Sequence, residues 1–356
     1  EKIKILQDMN FDVILGNPPY NMNNMGYGNG SDPLYHYFVD CGIYLTTKGM
    51  LIHPARFLFN AGKTPKEWNT KMLNDPHFKV ANYWANSSDV FPEVEINGGI
   101  VISFWNKHEN YGKIGFFSPY KELHSIMEKV KAREEASFSS LVGPRELYGL
   151  TDDLYKEHPQ MEGKQSKGHK YSLGANIFNV FPDLFYVDKP EDGNDYVLIY
   201  GRKNNERCSM WFRKSYITAA GNLSKYKVII SKADGAAGKL GSPIPARVLG
   251  RIEIGPPNLA YTDTFIGIGS FDTLDEAEAC RKYVKSRFAR TMLCTIKVTQ
   301  DNSKELWANV PLQDFTSSSD INWNCSVNEI DRQLYAKYNL TDEDVKFIEA
   351  MIKPMD

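Results

Sequence analysis

A chain of 356 residues with 42% hydrophobic side chains is long and apolar enough to form two cored domains. Its 42 Lys and Arg against 44 Asp and Glu give a formal net charge of −2, which excludes a nucleic-acid footprint spread over the whole surface and leaves only local basic patches to attract phosphates. Five scattered cysteines without Cys-x-x-Cys spacing exclude a disulfide scaffold and a cysteine zinc site, and no signal-peptide pattern or membrane-spanning apolar run is present, so a reducing cytoplasm is expected.

The first element, Phe11-Asp12-Val13-Ile14-Leu15, has the length and composition of a strand of buried type, and Gly16 with two prolines ends it abruptly. Asn17-Pro18-Pro19-Tyr20 therefore sits at a strand's C-terminal end, the edge where open α/β sheets bind ligands. Both prolines lack an N–H and have fixed φ, so the turn is stiff and its carbonyls are free to accept hydrogen bonds from outside. Asn17 adds a side-chain acceptor and Tyr20 an aromatic face. Two acceptors beside an aromatic plate suit a planar ring with an exocyclic amino group, such as adenine.

A polar loop follows, with Gly26-Tyr27-Gly28-Asn29-Gly30 expected to act as a mobile lid, since its spacing is not that of a phosphate cradle. Helical spacing runs from Leu34 to Leu45, and Gly49 to Pro54 forms another buried strand. Ala81 to Trp84 leads to Val90-Phe91-Pro92, and Gly98 to Trp105 supplies a further strand.

On these residues the chain resembles the DNA amino-methyltransferases, whose catalytic motif is [DNS]-P-P-[YFW]; the form Asn17-Pro18-Pro19-Tyr20 after F-D-V-I-L-G is similar to N6-adenine enzymes of restriction-modification systems. The resemblance implies S-adenosylmethionine as methyl donor, double-stranded DNA as partner and a flipped-out adenine held by the Asn17 side chain and the Pro18 carbonyl, with Tyr20 stacked on it. It also implies a second aromatic ring on the base's other face, for which Phe91 and Phe104 both qualify. The implied fold is α/β: a partial doubly wound, Rossmann-like methyltransferase sheet over residues 1–112, then an α+β target-recognition domain over 113–356. The family's F-x-G-x-G turn, its main cofactor site, is absent before Phe11, so the chain is expected to be the C-terminal part of a longer, fused type II enzyme, with the cofactor-binding residues upstream.

In the second half, a polar tract from about Lys107 to Leu147 contains a helical stretch at Lys121 to Glu135, and short strands follow at Tyr196–Tyr200 and Lys227–Ser231. Residues 196–251 hold eleven Lys or Arg against Glu206 and Asp234. The expected DNA contacts there are Lys232 foremost, then Arg202, Lys203, Lys225, Lys239 and Arg247. Asp275 to Met292 reads as one helix carrying Arg281, Lys282, Lys285, Arg287 and Arg290. Its Y-V-K-S-R-F-A-R pattern and Val310-Pro311-Leu312-Gln313-Asp314-Phe315 resemble target-recognition domains related to type I specificity subunits. A module that recognises DNA without catalysis is the alternative. Asp152-Asp153 and Glu162-Gly163-Lys164 loosely match a magnesium nuclease, but no buried strand holds them together, so any nuclease is expected upstream and no metal site in this chain.

Overall fold

The computed structural model describes residues 11–22, 32–93, 96, 98–218, 220–234, 244–297 and 300–355. The chain is mixed α/β with several sheets, and it divides into two compact units, Glu1–Ser125 and Ile126–Asp356. The Gly26–Gly30 loop and Lys239 lie outside the described residues.

In the first unit, β1 (Phe11–Gly16), β2 (Thr46–Pro54), β3 (Phe78–Trp84) and β4 (Ile100–Asn106) form one sheet in the order β1-β2-β4-β3. β1 runs parallel to β2, while β4 is antiparallel to both of its neighbours. The parallel crossover is made by α1 (Tyr35–Leu45), and α2 (Lys66–Asn74) connects β2 to β3. α1 buries Tyr35, His36, Val39 and Gly42, the stripe its spacing predicts. Trp105, almost wholly buried, lies between α1 and β2 in space left by two glycines. A Cβ on Gly42 would come within 2.8 Å of that indole, and one on Gly49 within 1.9 Å.

Among the described residues, helix and strand cover only one face of β1. Ile14 packs on the core with Trp105, Leu51 and Val39, whereas Phe11, Val13 and Leu15 on the opposite face are 36%, 50% and 70% exposed. The expectation of a buried strand is therefore corrected. β1 is an edge strand with one neighbour, β2, among the described residues, and an apolar run does not reveal whether anything covers its second face.

The second unit has two three-stranded sheets. β5 (Tyr196–Lys203) is central between β6 (Glu206–Arg213) and β9 (Leu259–Tyr261); β7 (Tyr226–Ser231) is central between β10 (Phe265–Phe271) and β8 (Glu253–Gly255). Val197, Ile199, Phe212, Phe178 and Phe181 are fully buried in one core cluster. The helices are α3 (Lys121–Lys131), at the division between the units, the short α4 (Asp152–Glu157) and α5 (Ile177–Val180), α6 (Leu274–Lys285), α7 (Arg287–Cys294), α8 (Val327–Lys337) and α9 (Asp342–Met351).

The single helix expected from Asp275 to Met292 is in fact two. Ser286 leaves the helical conformation and caps α7 by accepting from Ala289 N, which interrupts the run. Its cations are largely used in packing. Arg281 pairs with Glu278, and Lys282 donates to the Trp323 and Cys325 carbonyls. Arg290 is fully buried and donates to the carbonyls of Lys285, Ser286 and Arg247.

Candidate functional site

Parallel pairing of β1 with β2, and antiparallel pairing of β4 with β2 and β3, bring the C-terminal ends of β1, β2 and β3 to the same sheet edge as the start of β4. Asn17–Tyr20, Pro54–Arg56 and the turn from Ser87 to Phe91 all leave the sheet there.

Asn17 is exposed and Pro18 buried. The Pro18 carbonyl accepts no hydrogen bond among the described residues. Tyr20 is pinned by its backbone: its carbonyl accepts from Leu34 N at 2.8 Å, and Met22 N donates to Asp32 O at 2.8 Å. The Tyr20 hydroxyl oxygen is buried and makes no hydrogen bond of ordinary geometry. Burial raises its pKa, with the nearby Asn17 side chain acting in the opposite direction.

A cleft of about 310 Å³ opens beside Tyr20, with Tyr35, Thr64, Arg56 and Lys63 among its lining. The Arg56 stem is held between two glycines in left-handed conformations: a Cβ on Gly62 (φ +79°) would stand 3.1 Å from its Cδ, and one on Gly98 (φ +94°) 3.0 Å from its Cγ. Tyr35 and Thr64 share a 2.7 Å hydroxyl hydrogen bond. Behind them His53, fully buried, stacks on Tyr35 with ring centroids 4.8 Å apart. The Pro54 carbonyl can only accept, so the His53 Nδ1–H donates to it at 3.0 Å, and neutral Nε2 accepts from Ser103 Oγ at 2.8 Å. Burial pushes the imidazole pKa down to about 4. Sequence reasoning missed Arg56, although its place just after β2's end matches that of Asn17 after β1.

The two aromatic candidates lie differently. Phe91 is half-buried in the turn that follows β3, its N–H donating to Ser87 O at 2.8 Å. Phe104 is inside β4, four residues from the edge, beside Tyr111 (6.0 Å) and under the Lys79 ammonium (5.2 Å).

In the second unit the structure brings Arg202 and Lys232 together. Both flank the turn Thr262–Thr264: Thr262 N donates to Tyr200 O, Lys232 N donates to Thr264 O, and Arg202 and Thr264 line one cleft. Burial raises the Asp263 carboxyl pKa while neighbouring Lys232 acts to lower it. Lys203 is exposed at the end of β5. Lys225 lies at the opposite end of β7 from Lys232, roughly 20 Å along the strand, and its ammonium pairs with Asp272. Arg247 is exposed and its carbonyl accepts from Arg290. The asparagines near Arg202 were missed, because nothing in their spacing joins Asn176 to Asn204.

The nuclease alternative gains nothing from the geometry. Asp153 pairs with Lys156, Glu162 with Lys170, and Asp152 accepts from the Tyr171 hydroxyl. Among the described residues no group of three or more His, Cys, Asp or Glu could hold a metal ion, and no helix is long and apolar enough to cross a membrane.

Residues 1–91 match the family described as Eco57I restriction-modification methylase. An uncharacterized adenine-specific methylase of Mycoplasma pneumoniae is 35% identical over 103 residues, which are 28% of this chain and 24% of that protein. The chain thus spans about a quarter of the curated relative it matches. A crystal structure of the type IIG restriction endonuclease BpuSI aligns with 98% of this chain and 54% of its own at 10% identity and a TM-score of 0.33, too slight a likeness to establish a common fold. The resemblance to adenine methyltransferases of restriction-modification systems, read from Phe11 to Tyr20, is borne out by the two sequence matches.

Proposed function

We propose that the chain is the base-holding and target-recognising part of a DNA adenine-N6 methyltransferase of a restriction-modification system. The observation that carries this is the stiff turn Asn17–Tyr20 at the sheet edge, with Asn17 exposed and the Pro18 carbonyl open among the described residues. An adenine flipped from duplex DNA places its amino group between these two acceptors and its ring on Tyr20. Accepting both amino hydrogens draws the nitrogen lone pair out of the ring and aims it outward, so the residues act by position and electrostatics. Phe91 is the better partner for the second ring face, because it leaves the sheet at the edge that carries Asn17, whereas Phe104 is inside its strand.

The implied methyl donor, S-adenosylmethionine, would supply an electrophilic methyl group. The described residues of the first unit do not offer it a full site: none of that unit's strands runs through a Gly-x-Gly turn into a helix. The edge of β1 that has no neighbour among the described residues is where we place the remainder of the sheet and the donor site, since a parallel strand of this composition is stable when covered on both faces. The second unit recognises the target duplex, with Lys232, Arg202 and Lys203 as contacts. Lys225 is a weaker candidate because of its pairing with Asp272.

The test is methyl transfer to DNA by the full-length protein carrying Asn17→Ala. Loss of transfer with retained DNA binding is expected. Unchanged methylation would refute the assignment, and a wild-type protein that binds a specific site but never methylates would leave the recognition module alone.

A further inference from the structure

The cleft between the β5–β6 hairpin and the start of α5 carries a cation without a partner among the described residues. It measures about 440 Å³ and is lined by Asn176, Asn179, Arg202, Asn204, Asn205 and Thr264. Arg202 stands directly opposite Arg207 in the β5–β6 ladder, a like-charge pair that needs countercharge. Arg207 takes what is at hand. Its Nη1 donates to Glu253 at 3.1 Å, its Nη2 donates to Ser231 Oγ at 2.9 Å and lies 3.9 Å from Asp234. Among the described residues Arg202 has no ion pair, and its Nε is buried without an acceptor.

A second orphan lies in the neighbouring turn Thr262–Thr264, of which Thr264 lines the cleft. Asp263 keeps Oδ1 buried without a donor. β5 pairs in parallel with β9 through Tyr200 and Tyr261; Arg202 stands two residues further along β5, and Asp263 two residues past the end of β9, where Lys232 is among the charges that act on it. Arg202 thus adjoins four amide side chains, of which Asn179 Nδ2 donates to Asn176 Oδ1 at 2.6 Å. That mixture of donors and amide acceptors suits the donor–acceptor edge of a base pair better than a phosphate, which amide carbonyls repel.

The support is stiff. Asn204 and Asn205 form a two-residue turn with φ of 51° and 67°, the left-handed pair that closes a tight hairpin, and a two-stranded ribbon fits the major groove. Gly201 lets α5 approach: a Cβ there would stand 2.7 Å from the Phe178 ring, and that close packing seats Asn176 and Asn179 next to Arg202.

We propose that this cleft reads base edges in the major groove of the target duplex, with Arg202 the residue that specifies a guanine. The inference rests on the reading of the chain as a DNA-acting enzyme. A guanidinium satisfies guanine O6 and N7 together, and the asparagines are suited to adenine at adjoining pairs.

The experiment is selection of binding sites from a random duplex library by the full chain, followed by titration of the selected duplex and an unrelated one at two salt concentrations. Wild type is expected to enrich a motif containing a G·C pair that Arg202→Ala no longer prefers. The affinity ratio between the selected duplex and its variant at that pair should fall roughly ten- to a hundredfold, with affinity for the unrelated duplex little changed. Arg202→Gln, folded as judged by circular dichroism, should move the preference at that position from guanine towards adenine. The inference is overturned if either variant enriches the wild-type motif, if both weaken all duplexes alike with a shallower salt dependence, or if no motif emerges. A wild-type chain that binds no duplex at all overturns the underlying reading as well.

Discussion

β1 and β5 both start as short, largely apolar runs, Phe11-Asp12-Val13-Ile14-Leu15 and Tyr196-Val197-Leu198-Ile199-Tyr200, and have opposite surroundings. β5 is the centre of its sheet, with Val197 and Ile199 completely buried; β1 is an edge with Leu15 70% exposed. Both end in the polar groups assigned a function, Asn17 in one case and Arg202 in the other. The difference teaches that the second unit buries its central strand beside the cleft proposed to recognise DNA, whereas the first carries its proposed base-holding turn on a strand that the described residues cover on one face only.

The sharpest way to break this comparison is paired truncation. Ile199→Ala should cost about 2–5 kcal/mol, because a fully buried side chain leaves a cavity, measured by urea unfolding of the second unit's transition. If it costs nothing, β5 is not the core strand described here. Next comes function: Asn17→Ala should lower methyl transfer on the order of 10²–10³-fold, as losing one preorganised hydrogen bond does at other active sites, while the selected duplex binds as before. A drop in both would mean that Asn17 also holds the fold.

Acid should then distinguish the units. His53 has a folded pKa of about 4 against an unfolded value of 6.5, so the unfolded chain binds the extra proton between those values. The stability contributed by the neutral ring is full above pH 6.5 and is lost as pH falls towards 4, by about 3 kcal/mol. Urea midpoints at pH 7 and pH 4.5 should show the first unit's transition shifting, and His53→Gln should flatten the shift. The smallest expected effect is Leu15→Ala, within about 0.5 kcal/mol for a side chain this exposed. A loss of several kcal/mol on this substitution in the full-length protein, measured beside the chain, would show that further polypeptide covers β1.

Much of the candidate site was legible because its chemistry is local. Two prolines after an apolar run stiffen a turn whatever follows, and Asn17 and Tyr20 are fixed to it by covalent adjacency. The starts and ends of α1, β2, β4, β5 and β7 were legible to within a few residues for the same reason, since apolar spacing and Gly or Pro stops act over short distances. Ser286 was not read as a break, because a serine interrupts a helix only when its hydroxyl is turned back to cap the next one. Arg56 was passed over because its position depends on Gly62 and Gly98, which close around its stem from separate parts of the chain.

The sequence by itself determined a strand ending in an adenine-suited turn, a local excess of cations near residues 196–251, and the family resemblance carried by Phe11 to Tyr20. Only the tertiary structure decided which cations stand free and which are consumed. Asp272 takes Lys225, carbonyl oxygens surround Arg290, and Glu253 and Asp234 serve Arg207, leaving Arg202 with a buried Nε and no partner among the described residues. The physical reason is that charge compensation depends on distance in space, and pairing in these sheets joins residues tens of positions apart in sequence.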